Sequence, residues 1–152
     1  MRDEQIALAR RVVACKGWRW MPGMLTQNGS RIYDVIADDD CYGDTNCHEW
    51  QNEHGWGINR CDYHRGRPLA ETSAGHLWLD VVLPDLTDPA TVGCLLTLVR
   101  EAWDCDGMHT RRGGTSNKQW HVRYDGSRSK QKAVGIGYSE AEALVAALEA
   151  AP

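Results

Sequence analysis

The chain has 152 residues, of which 42% are hydrophobic and 25% are charged, and its formal net charge is −4. This composition is typical of a soluble folded protein and excludes an intrinsically disordered one. The length suits one hydrophobic core, so we expect a single domain over residues 1–152. The sequence contains neither an apolar run of the roughly 18 residues that a membrane span needs nor an apolar signal-peptide core near its start. We therefore expect no membrane association and a cytoplasmic location.

The first quarter of the chain predicts a helix, a turn and a strand. Residues 3–16 fit an amphipathic helix with acids in its first turn. Residues 18–24, WRWMPGM, predict a turn whose tryptophans and methionines line the core, with an exposed aromatic platform as the alternative. Asn28 and Gly29 predict a tight turn that leads into a strand over 31–37.

The most hydrophobic stretch, 77–103, predicts a strand followed by a helix. Four apolar residues recur at every second position, as on one face of a strand. They are Leu77, Leu79, Val81 and Leu83. After Pro84 the apolar period becomes that of an amphipathic helix. Its stripe is Val92, Leu95, Leu96, Val99 and Trp103. Asp88 can cap this helix, and Pro89 fits its first turn, where a missing N–H costs nothing.

The last third predicts a Gly-rich basic loop over 105–118, then two strands and a helix. The first strand covers 119–125. The second contains Gly135 and Gly137, which indicate that another segment lies close to one of its faces. Ser139 and Glu142 match the reciprocal capping pattern of a helix start. The stripe of this helix is Ala141, Leu144, Val145 and Leu148.

A long segment, residues 38–75, interrupts these elements and is called the insertion below. Its aliphatic residues are only Ile58 and Leu69, so it cannot build a hydrophobic core of its own. It also contains three cysteines and three histidines. In a reducing cytosol such a cluster is more often a metal site than a set of disulfides.

The spacing of these residues predicts a structural zinc site in the insertion. Two ligand pairs are separated by a thirteen-residue loop. A closed tetrahedral zinc site would contribute folding energy to a segment that lacks a core. The predicted ligands are Cys41, Cys47, Cys61 and His64, with His48 and His54 as substitutes. Free cysteines without a metal are the alternative. Residues 38–49 also partly fit a calcium loop, but Tyr42 occupies a ligand position.

Charge is distributed unevenly along the chain. Residues 37–76 carry eight acids and three bases, a net of −5, whereas residues 105–132 carry seven bases and two acids, a net of +5. In the basic segment, cationic and aromatic side chains alternate, which predicts a site for an anionic nucleotide or a phosphate backbone. The predicted ligand-binding residues are Arg111, Arg112, Lys118, Trp120 and Arg123. A solvated hairpin is the alternative.

The order of elements predicts an α+β fold, in which helices pack on a mainly antiparallel sheet as two layers or a sandwich, with the Cys/His-rich insertion added. Four sequence segments are similar to a known family pattern: ALARRVVACKGWRWMPGM near the start, LPDLTDPATVGCLL from Leu83, REAW from Arg100 and GYSEAEALVAALEAA from Gly137. Together they resemble the phage ABA-sandwich domain, a small phage-encoded family in which a sheet lies between helices. The resemblance implies a phage or prophage origin. It transfers no active site, because the family has no assigned catalytic activity.

These observations favour a non-enzymatic, phage-encoded accessory protein with a structural zinc site. We expect it to inhibit a host defence system or to sequester a nucleotide or nucleic acid, so that its partner is a host protein, a nucleotide or a nucleic acid. The sequence has no phosphate-binding loop of recognised spacing and no hydrolase triad. The enzymatic alternative is a metal-dependent nuclease or phosphodiesterase that uses His48, Asn59 and His64 around a catalytic metal.

Overall fold

The computed structural model describes residues 2–36, 50–52, 55–57, 69–113, 118–124 and 133–152. These residues form helices α1 (Asp3–Val13), α2 (Pro89–Ala102) and α3 (Glu140–Glu149), and a short 3-10 helix at Leu79–Val81. The strands are β1 (Ile32–Ile36), β2 (Trp50–Asn52), β3 (Gly55–Gly57), β4 (Leu69–Thr72), β5 (Gly75–Trp78), β6 (Met108–Arg112), β7 (Trp120–Tyr124) and β8 (Ala133–Gly137).

All strand pairs among the described residues are antiparallel. The first sheet has the order β1-β4-β5 and the second sheet the order β6-β7-β8, while β2 and β3 form a separate hairpin. The predicted α+β class with antiparallel pairing is therefore confirmed. The strands are divided between two three-stranded sheets.

One hydrophobic core connects the three helices with both sheets. Its fully buried side chains come from every layer, and they include Val12, Ile32, Ala70, Leu95, Val122 and Leu144. The turn around Trp20 and Met24 contributes as predicted, since both side chains are buried. Trp18 packs edge-to-face on Trp20, with ring centroids 5.6 Å apart. The predicted core-lining turn is confirmed.

Strand β8 and helix α3 approach each other very closely. A β-carbon built on Gly135 would lie 2.1 Å from the carbonyl oxygen of Ala143, and one built on Gly137 would lie 2.4 Å from the β-carbon of Glu142. No side chain fits in such a gap, so both positions require glycine. The predicted close neighbour of this strand is confirmed, and it is the final helix.

The starts of α2 and α3 follow their sequence signals. The Asp88 carboxylate accepts a hydrogen bond from the Thr91 backbone N–H at 2.8 Å, and Pro89 occupies the first turn of α2. At α3, the Ser139 hydroxyl accepts from the Glu142 backbone N–H, while the Glu142 carboxylate accepts from the Ser139 backbone N–H. Both predicted caps are confirmed.

The predicted strand over 77–83 is wrong beyond Trp78. Residues Leu79–Val81 form the 3-10 helix, so the alternation is lost: Leu79 is buried and Val81 is 65% exposed. The chain turns here because the next residues pair elsewhere. The backbone N–H of Gln27 donates to the Leu83 carbonyl at 2.8 Å. This hydrogen bond to a turn that is distant in sequence outweighs the two-residue periodicity of the apolar side chains, so the strand ends at Trp78.

The three helices run in the same direction. Their first turns line one groove of about 570 Å³, and their last turns line another of about 550 Å³. Parallel helix dipoles repel each other, and acids in the first turns of α1 and α3 offset the positive ends. Glu101 and Glu149 lie at the negative ends, and each is paired with an arginine. Arg19 binds Glu101 at 2.6 Å and Arg11 binds Glu149 at 2.7 Å.

An ion pair joins the turn before β1 to the start of α2. Arg31 donates to the Asp88 carboxylate at 2.9 Å and to the Gly23 carbonyl at 2.6 Å. The Asp88 side chain is only 12% exposed. The hydrogen bond from Arg31 stabilises the carboxylate and lowers the pKa of Asp88 to about 2.

Replacing Gly135 with alanine should destabilise the protein by about 1–3 kcal/mol or more, because the new methyl group overlaps the backbone of α3. Gly93→Ala is the matched control. Gly93 is exposed within α2, and a β-carbon there would meet no atom within 4 Å, so alanine should stabilise by about 0.5–1 kcal/mol. Urea unfolding measures both changes. A Gly135→Ala protein of wild-type stability would contradict the close packing of β8 on α3.

Replacing Asp88 with alanine should lower the free energy of unfolding by about 1–2 kcal/mol, because the helix loses its cap. Asp88→Asn keeps a capping side chain and loses only the charge, so its deficit should be smaller. The folded-state pKa lies below the ordinary value of 3.8, so the contribution of the charge is complete above about pH 4 and is lost as the pH falls towards 2.

Denaturant unfolding at neutral pH and near pH 2.5 measures this dependence. The stability advantage of the wild type over Asp88→Asn should shrink at the acid pH, because protonation removes the charge that the variant lacks. An advantage that stays constant between the two pH values would show that the carboxylate charge contributes nothing.

Candidate functional site

The predicted zinc ligands lie outside the described residues. They are Cys41, Cys47, Cys61 and His64, together with the substitutes His48 and His54. Asn59 of the alternative nuclease site also lies outside. Among the described residues, no group of three or more His, Cys, Asp or Glu side chains could hold a metal ion.

The insertion extends from the first sheet, between strands β1 and β4. Ile36, the last residue of β1, pairs with Leu69, the first residue of β4, so the chain leaves the first sheet and returns to it at neighbouring positions. The predicted insertion therefore extends too far, because residues 69–72 form β4 of the first sheet. Within it, β2 and β3 form a hairpin that pairs Trp50 with Gly57. This hairpin separates the two predicted ligand pairs in the sequence.

The described cysteines have a packing role. Cys15, Cys94 and Cys105 are half-buried, form no disulfide and pack against the core. Burial raises the pKa of the Cys15 and Cys94 thiols, which disfavours the reactive thiolate.

The second sheet contains the predicted ligand-binding residues, and one of its strands was missed by the sequence reading. The sequence predicts a loop over 105–118, but Met108–Arg112 form β6, an edge strand paired with β7. Burial along this strand falls from the buried Met108 to the exposed Arg111 and Arg112 and does not alternate. The sequence therefore carries no two-residue period that could have identified it.

The register of β6 on β7 divides the predicted residues between two faces. Arg111 pairs with His121, and Arg112 pairs with Trp120. Paired residues share a face of an antiparallel ladder, and consecutive residues alternate. Arg112 and Trp120 therefore lie on the face towards α3, at its margin, and Arg111 lies on the opposite face. Lys118 precedes β7 and is exposed.

The face opposite to α3, which we call the open face, collects basic side chains from both strands. Of these, Arg111 is exposed, whereas His109, His121 and Arg123 are half-buried and make interactions of their own. Arg111 lies opposite His121, and His109 lies opposite Arg123. Ile136 of β8 completes this face, because it pairs with His121. His121 lies in the basic segment that the sequence singles out, whereas His109 was missed as a member of the site, since its position depends on the register of two strands.

The charged side chains that β6, β7 and β8 supply to the open face are all basic. No acidic residue occurs in β6, β7 or β8. Arginine guanidinium groups carry a permanent positive charge. Guanidinium and imidazole N–H groups both donate hydrogen bonds, and a guanidinium donates them in the geometry that a phosphate accepts. The chemistry of this face therefore suits an anion.

The inner face of the second sheet, which is the face towards α3, anchors the same strands to the helices. Arg100 of α2 donates to the Met108 carbonyl at 2.9 Å. The Thr110 hydroxyl donates to the carboxylate of Glu140 in the first turn of α3. Val122, in the middle of β7, is fully buried. The open face is therefore built on strands that the helix layer holds in place, which favours a preformed site.

Comparison of the chain with protein-family models, with curated proteins and with solved structures found no match. The resemblance to the phage ABA-sandwich domain stays a prediction from the quoted phrases. None of the described helices combines the length and the apolar composition needed to cross a bilayer.

Proposed function

We propose that this protein is a phage-encoded accessory protein that acts by binding, and that the open face holds an anionic host ligand, a nucleic acid or a nucleotide. The observation that carries the proposal is the opposition of Arg111 to His121 and of His109 to Arg123 in strands that contain no acid. The phage origin rests on the family resemblance. Binding without catalysis would sequester the ligand or block a host defence system that uses it.

A phosphate fits this arrangement better than a single carboxylate does. Arg111 and Arg123 are diagonal neighbours across the β6–β7 ladder, about 7–8 Å apart. The exposed guanidinium of Arg111 can bind a phosphate in a bidentate geometry. Arg123, half-buried on the same face, adds positive charge beside it.

Positive charge near the open face also favours a phosphate-containing ligand. Arg112 and Lys118 are exposed at one end of the β6–β7 ladder. Positive charge grouped in this way attracts a polyanion over a distance of about a Debye length and raises its association rate.

We also propose that a structural zinc ion holds the insertion. The pairing of Ile36 with Leu69 closes the insertion at its base, and the β2–β3 hairpin lies between the two predicted ligand pairs along the chain. A tetrahedral ion bound by Cys41, Cys47 and the other predicted pair would supply the stabilisation that the missing aliphatic residues cannot.

Reversing the charge of Arg111 should weaken nucleic-acid binding about tenfold or more, because one charge-assisted phosphate contact is replaced by repulsion. Arg112→Glu is the matched control, since it makes the same change on the neighbouring residue of the other face. Its effect should be smaller. Arg111→Glu should remain as stable as the wild type, because a carboxylate at this exposed position places no like charge opposite His121.

Fluorescence anisotropy with a labelled oligonucleotide measures both variants over a range of salt concentrations. Binding by the wild type should weaken with salt, and Arg111→Glu should have a shallower dependence. Equal effects of the two substitutions would contradict the assignment to the open face. Cleavage of the oligonucleotide on addition of a divalent metal would instead favour the nuclease alternative.

Native protein should contain about one zinc ion per chain, and Cys61→Ser or His64→Ala should lose most of it. Cys15→Ser is the control, because Cys15 packs against the core outside the insertion and its replacement should leave the zinc content unchanged. Elemental analysis of protein purified without chelators measures the metal directly. A metal-free native protein would remove zinc from the proposal without affecting the open face.

A further inference from the structure

We infer that the ligand of the open face is single-stranded nucleic acid, and that Tyr138 with Ile136 forms a shelf on which one of its bases stacks. This inference rests on the proposed function and names the ligand more closely. Two exposed apolar side chains beside a cationic surface carry it. Tyr138 is 78% exposed and Ile136 is 50% exposed.

The shelf lies next to the cationic side chains. Ile136 is the cross-strand partner of His121, and Arg111 is the partner of His121 on its other side. Neighbouring strands lie about 4.8 Å apart, so Arg111 and Ile136 are about 10 Å apart across the sheet. Tyr138 follows Ile136 by two residues, the spacing that returns a side chain to the same side of an extended chain.

The backbone under the shelf is held firmly. The Tyr138 backbone N–H donates to the Glu142 carboxylate at 2.6 Å, and the next residue, Ser139, caps α3. On the N-terminal side, Gly137 lies against the backbone of α3. The ring is therefore presented on a fixed base between β8 and α3, where stacking requires little ordering of the main chain.

The combination of charge and exposed ring selects single strands over duplexes. Phosphates are accessible in both, and the open-face cations can bind either. The faces of bases are accessible only where the bases are unpaired, because a duplex buries them in its stack. A tyrosine ring beside cations therefore adds affinity for a single strand alone.

The test compares three ligands with a common length: a single strand, its duplex, and a strand in which abasic sites replace the bases but the phosphates remain. The wild type should bind the single strand about tenfold or more tightly than either of the others. Tyr138→Ala should lose about tenfold or more on the single strand and should no longer distinguish it from the abasic strand. Its salt dependence should stay that of the wild type, because the phosphate contacts remain.

Two variants control for indirect effects. Tyr138→Phe keeps the ring and should retain binding, whereas Tyr33→Ala removes an exposed tyrosine of the first sheet and should change nothing. Thermal unfolding checks that each variant is folded. If Tyr138→Ala is not folded, the affinities of the wild type for the normal strand and for the abasic strand are sufficient to test the stacking shelf.

The outcomes separate this inference from the proposed function. Equal wild-type affinity for the single strand, the duplex and the abasic strand would overturn the stacking shelf and leave phosphate binding by the open face intact. A preference for the duplex would also overturn it. Failure of the wild type to bind any of the three would overturn this inference and would also remove nucleic acid from the proposed function.

Discussion

The contact between β8 and α3 is the constraint on which the rest of the structure depends. Because Gly135 and Gly137 have no side chains, the helix backbone lies directly on the strand, within the space that a β-carbon would need. α3 then holds the other helices. Trp103 of α2 donates its indole N–H to the Ala147 carbonyl at 2.8 Å, and Arg11 of α1 binds Glu149. The helix layer is therefore assembled on α3, and α3 is placed by two glycines.

The same contact determines which side chains form the open face. Side chains alternate along a strand, so placing Gly135 against α3 leaves Ile136 on the other side. The register then aligns Ile136 with His121 and His121 with Arg111. A shift of one residue in β8 would bring a side chain against the helix, which the packing forbids. The glycine contact thus sets the register of the sheet and, through it, the position of the site.

Local signals were sufficient for part of this structure. The caps at Asp88 and Ser139, and the close approach at Gly135, were all predicted because each depends on residues near in sequence. The 3-10 helix after Trp78 was not predicted, because it depends on the pairing of Leu83 with Gln27, which is distant in sequence. Strand β6 was not predicted, because the burial of its side chains does not alternate. The predicted apolar stripe of α3 also contained too few residues, since Ala143 and Ala147 are buried against the glycines of β8.

The candidate site shows the same limit. Composition identified the basic segment, but Arg111 and Arg112 were grouped together, and only the register shows that they belong to opposite faces. His109 enters the site through its pairing with Arg123, a relation that no local pattern contains. The zinc ligands, by contrast, were predicted from spacing alone. They lie outside the described residues, so zinc stays a prediction.

The charges of the helix layer support the proposal that an anion binds at the open face and not at the helix N-termini. A helix N-terminus attracts anions, and three of them meet at one groove in this molecule. Each of those first turns or caps carries acid, from Glu4 in α1, Asp88 before α2 and Glu140 in α3. Glu140 also binds Thr110 on the inner face of β6. The acids that stabilise three parallel dipoles therefore disfavour anions at the helix ends, and the cationic side chains of the sheet face away from them. Acidic side chains therefore gather on the helix side of the second sheet and basic ones on its other side, so this polarity follows from the arrangement that keeps the helices together.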